Sequence, residues 1–354
     1  MSKTNKRYAL ALHGGAGAVV GRDYAAVEKH LRELAGQCEA LLADGRSALD
    51  VVETAVSELE SCGLYAAGRG SAPTMAGYVT LDASIMHGPA RDAGGVAALQ
   101  GFVNPIRIAR GVMEKTPHVL LVGTGAERFA RDHKYIAVND PGNYYVVPVG
   151  VTKGELTNSN AHGTVGAVAL DQSGSLAAAT STGGIFGKLE GRVGDTPLIG
   201  PGTWADDDIA ISCTGTGEHI IRAGGAISIA CRYKSGTGLT DAINEMLGEV
   251  KRLGGDAGVI AITRDAEIAT PYNSDGMKRA SISSQQELRV ATFVVEGGLS
   301  PLNRQYRGML DIRQNDARRH FLDTRQLRQR FKEKLLVSFD IGSDDAQQEV
   351  NIAK

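Results

Sequence analysis

Thr164 opens a small apolar run, Gly163-Thr-Val-Gly-Ala-Val-Ala-Leu-Asp171, directly after the polar stretch 157–162. A threonine hydroxyl is a weak nucleophile unless a base sits beside it. If the bond between Gly163 and Thr164 were cut, the freed α-amine of Thr164 would itself be that base. The plain alternative is a β-branched strand residue. One hairpin later, Thr180-Ser-Thr182-Gly-Gly184 ends the partner strand and brings a second hydroxyl near Thr164, able to steer its proton. Gly191-Arg192-Val-Gly-Asp195 adds a cation and an anion on a Gly-flanked loop. An Arg fork matches a carboxylate and an Asp matches an ammonium, so the pair could clamp an amino-acid end. Equally, the two could form a mutual surface ion pair of little worth.

Two Gly-rich turns are further candidates. Ser212-Cys-Thr214-Gly215-Thr-Gly217-Glu218 ends a strand and opens a helix, a geometry that aims hydroxyl and N–H donors at an oxyanion; a simple strand-to-helix turn reads the same way. His13-Gly-Gly-Ala-Gly17 follows a strand and could cradle an anion. It matches neither the dinucleotide nor the P-loop fingerprint. It resembles the oxyanion loop of esterases, but the chain has no G-x-S-x-G to supply their nucleophile.

The elements that must position these residues are partly legible. Residues 8–12 read as a buried strand that stops at His13. Val27, Leu31, Leu34, Cys38, Leu41 and Leu42 recur at helical spacing up to Gly45. Ser47 and Asp50 resemble a capping box for a second helix through Leu49, Val52, Val56 and Leu59. A Gly-rich segment, 63–77, precedes a strand at 79–86. Pro105 opens a helix over 106–114, followed by a strand at 119–122, a short helix at 126–132 and a turn at 139–142. Residues 152–162 form the best candidate for an exposed, cleavable linker. The runs 165–170 and 176–180 flank the turn Asp171-Gln-Ser-Gly174 and make a hairpin. A loop over 183–209, a strand at 211–213, helices over 218–229 and 239–253, a hairpin at 258–270 and a strand at 290–295 complete the expectation.

Composition bounds the rest. With 354 residues and net charge −2, the chain has room for a large core and no field that points to nucleic acid. Its 45 glycines sit beside short apolar runs, as tight turns and close approaches require. Cys38, Cys62, Cys213 and Cys231 match no zinc spacing and read as buried thiols of a reducing compartment. The first apolar run is too short for a signal peptide or a membrane span, so a cytoplasmic location is the default. From Ser300 the composition shifts. Residues 304–334 hold ten Arg and Lys, and Leu322, Leu327, Phe331 and Leu335 give a loose helical stripe. This extension reads as a salt-bridged helix on the body or as a partner-binding arm.

Taken in order, His13-Gly-Gly-Ala-Gly17, Asp82-Ala-Ser-Ile-Met86, Asn104-Pro105, Val112-Met-Glu-Lys-Thr-Pro-His118, Gly163-Thr-Val-Gly-Ala-Val168, Thr180-Ser-Thr-Gly-Gly184, Gly191-Arg-Val-Gly-Asp195, Cys213-Thr-Gly-Thr-Gly-Glu218 and Pro271-Tyr-Asn-Ser-Asp-Gly-Met277 resemble the plant-type L-asparaginase/isoaspartyl peptidase family. That family belongs to the N-terminal-nucleophile hydrolases, and the resemblance spans roughly residues 8–295. It implies an α+β fold, a four-layer αββα sandwich, made as a precursor that cuts itself. An α subunit 1–163 and a β subunit 164–354 would pair as a dimer of heterodimers. Thr164 is then similar to the nucleophile and Thr182 to its neighbouring hydroxyl. Arg192 resembles the α-carboxylate anchor and Asp195 the α-amine anchor, with Gly217 beside them. Thr214 and Gly215 correspond to the oxyanion hole. The substrate would be asparagine or a β-aspartyl dipeptide, with no required cofactor. The backbone carbonyls of Leu59, Glu60, Cys62, Tyr65, Ala67 and Arg69 are similar to a sodium-binding loop. One departure stands out: the family pattern aromatic-Asn-Ala-Gly reads Tyr65-Ala66-Ala67-Gly68 here. The linker before Thr164 is also shorter than usual for the family, and the basic extension 300–354 has no counterpart. These departures motivate two alternatives: a taspase-like or glycosylasparaginase-like hydrolase of a larger substrate, and a non-catalytic amino-acid-binding homologue.

Overall fold

The computed structural model describes residues 7–152, 154–155 and 162–294. Chain contacts divide the protein into Met1–Phe293 and Val294–Lys354, and the first unit is described below. Most of the expected linker and the whole basic extension lie outside the described residues.

The first half of this unit runs β1 (Ala9–Ala16), α1 (Ala25–Ala43), α2 (Ala48–Ser61), a 3-10 turn (Gly68–Gly70), β2 (Leu81–His87), β3 (Asp92–Leu99), α3 (Pro105–Lys115), β4 (Leu120–Val122), α4 (Gly123–Asp132) and α5 (Pro141–Tyr144). The second half runs β5 (His162–Leu170), β6 (Leu176–Ile185), β7 (Thr203–Ala205), β8 (Ile209–Gly215), α6 (Gly217–Arg222), α7 (Gly225–Lys234), α8 (Leu239–Arg252), β9 (Ala257–Thr263), β10 (Ile268–Ala269), β11 (Met277–Ser283) and β12 (Gln286–Ala291). These form a mixed α/β structure with two sheets. One has the order β12-β11-β1-β5-β6-β2-β3-β4, antiparallel except for the β3–β4 pair. The other, β10-β9-β8-β7, is antiparallel throughout.

Alternation along the strands explains the packing. In β1, Leu10 and Leu12 join α1, α2 and α3 in one apolar cluster, while Ala9 and Ala11 join a second. In β5, Val165, Ala167 and Ala169 take the first side and Val168 and Leu170 the second. The second cluster includes Ala210, Ile260 and Ile262, so it lies between the two sheets. On the other side of the smaller sheet, Ile211, Cys213 and Val259 pack against α7 and α8 through Ile229, Ile243 and Met246. Strands buried on both faces carry apolar residues at every position. Ser47 accepts from Asp50 N at 3.2 Å at the start of α2. Asp171 in the hairpin turn accepts from Ala48 N at 2.8 Å, tying that helix end to β5–β6.

Several expectations need correction. The first strand does not stop at His13 but continues to Ala16, with a bulge between these residues. The helix expected over 218–229 is two helices, broken where Gly224 adopts φ 76°. The loop 183–209 contains β7, the turn at 139–142 leads into the single-turn α5, and the last strand ends at Ala291 rather than 295. Strands β3 and β11 were not anticipated. All four thiols are free, but Cys231 is exposed on α7 and Cys62 is half-buried.

Candidate active site

Antiparallel pairing sets Thr164 directly opposite Thr182. A bulge between His162 and Thr164 takes the Gly163 peptide out of the regular ladder. Thr164 Oγ1 donates to Thr182 Oγ1 at 3.3 Å, and Thr182 Oγ1 donates in turn to the carbonyl oxygen of Gly163 at 3.2 Å. Gly184 N donates to Thr182 Oγ1 at 3.0 Å, which fixes that hydroxyl from behind. The glycine turn after His13 presses on the same bond. Gly15 has φ 97°, and a Cβ there would stand 3.0 Å from Gly163 Cα and 3.1 Å from Thr164 N. Ala66 closes the far side: its carbonyl accepts from Gly183 N at 3.0 Å, and its methyl would meet a Cβ on Gly163 at 2.8 Å.

Thr164, Thr182, Arg192, Asp195 and Gly215 line one pocket, whose wall is completed by Gly184, Ile185, Gly194 and Thr196. Of the remaining site residues, Thr214 is fully buried and its hydroxyl accepts from Ala16 N at 3.2 Å. Gly217 abuts the charged pair: a Cβ there would lie 3.0 Å from Arg192 Nη2 and from Asp195 Oδ1.

Arg192 and Asp195 do not pair with each other. Arg192 forms a two-point contact with Glu218, Nε to Oε1 at 2.8 Å and Nη2 to Oε2 at 2.9 Å. The guanidinium holds the Glu218 carboxyl below its usual range. Asp195 is only 3% exposed, and among the described residues its Oδ2 finds no hydrogen-bond partner. Burial raises its pKa to about 7, against the opposing pull of Arg192. A buried carboxylate oxygen without a partner, on a residue that lines the pocket, is a ready acceptor for an incoming cation.

Sequence reasoning assigned no role to Glu218, although it stood at the end of a motif already singled out. It also missed the buried charges behind Thr182. Asp82 lies opposite Thr182 across β2–β6, accepts from Ala98 N at 2.8 Å, and is pushed up by burial. Lys188 packs its stem on Gly184, donates to Thr80 O at 3.1 Å, and is pushed down by burial. Asp82 opened a motif already quoted but carried no assigned role, and nothing local marks Lys188; each acts on the other's charge only through the folded sheet.

A family model described as asparaginase matches residues 6–145 and 147–292, nearly the whole described unit. The chain belongs to this asparaginase family. Curated relatives agree. The isoaspartyl peptidase of Salmonella typhimurium is 42% identical over 294 residues, covering 77% of this chain and 94% of that protein. The isoaspartyl peptidase of Escherichia coli is 41% identical, covering 77% and 91%. The plant-type L-asparaginase of Thermococcus kodakarensis is 38% identical, covering 77% and 95%. The matched residues of the asparaginase family member described here include both sheets and every residue of the pocket.

Proposed function

We propose that this chain is an isoaspartyl peptidase and L-asparaginase whose nucleophile, Thr164, is freed by self-cleavage after Gly163. The observation that carries the reading is the convergence of Thr164, Thr182, Arg192, Asp195 and Gly215 on one pocket. In the first stage Thr164 Oγ1 attacks the Gly163 carbonyl carbon. The Thr182 hydroxyl already donates to that carbonyl oxygen and supports the charge it gains. The Gly163–Thr164 C–N bond breaks, an ester forms on Oγ1, and water hydrolyses it. The products are a Gly163 carboxylate and a free Thr164 amine.

In the second stage that amine takes the proton of Oγ1, which attacks the side-chain carbonyl of an aspartyl substrate. Arg192 holds the substrate α-carboxylate and Asp195 its α-amine. The main chain at Thr214 and Gly215 bounds the position of the oxyanion. Ammonia or an amine leaves with the proton, and water then hydrolyses the β-aspartyl ester. Fixing the amino-acid end converts the attack into an intramolecular-like step, which is worth several orders of magnitude in rate.

The wider architecture belongs to the same reading: a four-layer αββα sandwich, supported by the three apolar clusters, and a dimer of cleaved heterodimers. A sodium ion in the 59–69 loop is part of the same reading. Its donors would be the main-chain oxygens of Leu59, Glu60, Cys62, Tyr65, Ala67 and Arg69, hard ligands suited to such a cation. The loop folds tightly on itself, since a Cβ on Gly68 would lie 2.3 Å from Glu60 O and one on Gly70 would lie 2.0 Å from Tyr65 O. The ion would stiffen the loop that carries Ala66 to Gly163. Intact mass should give a fragment beginning at Thr164, and the cleaved protein should release aspartate from asparagine and β-aspartyl dipeptides. Undiminished hydrolase activity from a chain that stays whole would overturn the proposal.

A further inference from the structure

The face of the larger sheet that meets the smaller one changes character along its length. Ala11, Met86, Val168 and Ala178 belong to the apolar cluster between the sheets. Two residues further along the same strands, on the pocket side, stand His13, Ser84, Gly166 and Thr180. Ser212 does the same beyond Ala210 on β8. His13, Ser84, Thr180, Thr203 and Ser212 have no exposed surface.

These side chains are bonded in series. Ser84 Oγ lies 2.6 Å from Thr196 O and 2.7 Å from Thr203 Oγ1, and its one proton serves either acceptor. Thr203 Oγ1 donates to Thr180 Oγ1 at 2.6 Å. Thr180 and Ser212 hydroxyls are 2.8 Å apart, and Ser212 Oγ lies 2.8 Å from His13 Nε2. His13 Nδ1 lies 3.0 Å from the carbonyl oxygen of Thr164. A carbonyl only accepts, so Nδ1 carries the proton. Burial keeps the ring neutral by lowering its pKa to about 3, so Nε2 must accept from Ser212. Ser212 then accepts from Thr180, and from Thr203 onward every donor points toward Thr164. Aligned donors of this kind polarise one another.

Two backbone features make room for this arrangement. Pairing between β1 and β5 ends at His13 opposite Gly166, so the ladder stops just short of Thr164 and the imidazole takes its carbonyl instead. Gly166 leaves the space free: a Cβ there would lie 2.1 Å from Ser212 Oγ and 2.3 Å from His13 Nε2.

We propose that His13 is a positioning residue for Thr164, oriented by the buried hydroxyl chain of Ser212, Thr180 and Thr203. By fixing the Thr164 carbonyl it fixes the backbone from which both the amine and Oγ1 project. The inference rests on Thr164 being the nucleophile.

The test uses full-length protein and three readouts: the rate of cleavage before Thr164 by intact mass, kcat and KM of the cleaved form on a β-aspartyl dipeptide, and thermal midpoint. His13→Gln reaches toward Ser212 but leaves the Thr164 carbonyl without its donor. Cleavage rate and kcat should fall about a hundredfold, with KM within about threefold. His13→Asn restores a donor at the Nδ1 position and should recover to within about tenfold of wild type. Ser212→Ala frees the ring tautomer and should lower kcat about tenfold; it decides the matter if the His13 variants do not fold. Equal activity of the Gln and Asn variants, or unchanged kcat in Ser212→Ala, overturns the inference. Thr164→Ala separates it from the underlying reading: if that variant still turns over substrate, the nucleophile assignment fails, whereas an inactive Thr164→Ala beside a fully active His13→Gln sinks only the role of His13.

Discussion

The two walls of the pocket are built on opposite principles. On the Thr164 wall, the Thr164 hydroxyl, the Thr182 hydroxyl, the Gly163 carbonyl and the Thr164 carbonyl all have partners already. On the clamp wall, Asp195 Oδ2 is buried without a partner among the described residues, and burial holds the carboxyl far above its usual pKa. Under the proposed self-cleavage, the first wall would act on its own chain before any substrate arrives, so its geometry would have to be complete in the precursor. The second, as a proposed substrate clamp, would be completed by the ligand. Part of the binding energy is then spent on relieving a group that folding left unsatisfied.

Removing one hydroxyl should break the complete wall most severely. Thr182→Val is nearly isosteric, yet it removes the donor to Gly163 O and the acceptor for Thr164 and Gly184. Cleavage and kcat should each drop by about a hundredfold to a thousandfold, measured by intact mass and steady-state kinetics. Next in size is Asp195→Asn on the incomplete wall, where kcat/KM should fall about a hundredfold at pH 8. This variant should be more stable than wild type. The raised folded pKa means that the unfolded carboxyl ionises first, so wild-type stability declines as pH rises from 3.8 to about 7. The thermal gain of Asp195→Asn should therefore be full above pH 7 and vanish as pH falls toward 3.8. The same group adds to the ascending limb of wild-type kcat/KM a component centred near pH 7 that the variant lacks, leaving only the limb of the Thr164 amine.

Glu218 sharpens the comparison, because it occupies one edge of the Arg192 fork and leaves the Nη1–Nη2 edge for substrate. Glu218→Gln should raise KM about tenfold and leave the cleavage rate unchanged. The smallest effect is expected from Gly217→Ala. Its methyl would crowd Arg192 and Asp195 at 3.0 Å, raising KM about threefold with kcat preserved.

Much of this was legible in the sequence where the signal is local. The heptad-like spacing of Val27, Leu31, Leu34 and Cys38 gave α1, and the Asp171–Gly174 turn placed Thr182 near Thr164. The clamp was half legible: the residues were found, but the partner of Arg192 was not, because Glu218 approaches from a helix after two intervening strands, β7 and β8. Strand β3, Asp-Ala-Gly-Gly-Val-Ala-Ala-Leu, has neither alternation nor β-branched runs. It needs glycine because a Cβ on Gly94 would lie 2.1 Å from Ala109 O of α3. Strand β1 was cut short at His13 because His-Gly-Gly reads as a turn when its neighbours β5 and β11 are invisible. The helix break at Gly224 is a single conformational event that periodicity alone does not detect.

The order of the larger sheet bears on what the proposed self-cleavage would do to the molecule. Read across that sheet, β12 and β11 come from the later part of the chain, β1 from the earlier, β5 and β6 from the later, and β2, β3 and β4 from the earlier again. A cut before Thr164 would thus yield two polypeptides interleaved like the fingers of folded hands. Neither could leave without tearing three ladders apart, so the new chain end, which in most proteins frays into solvent, would stay as immobile as the interior it starts from.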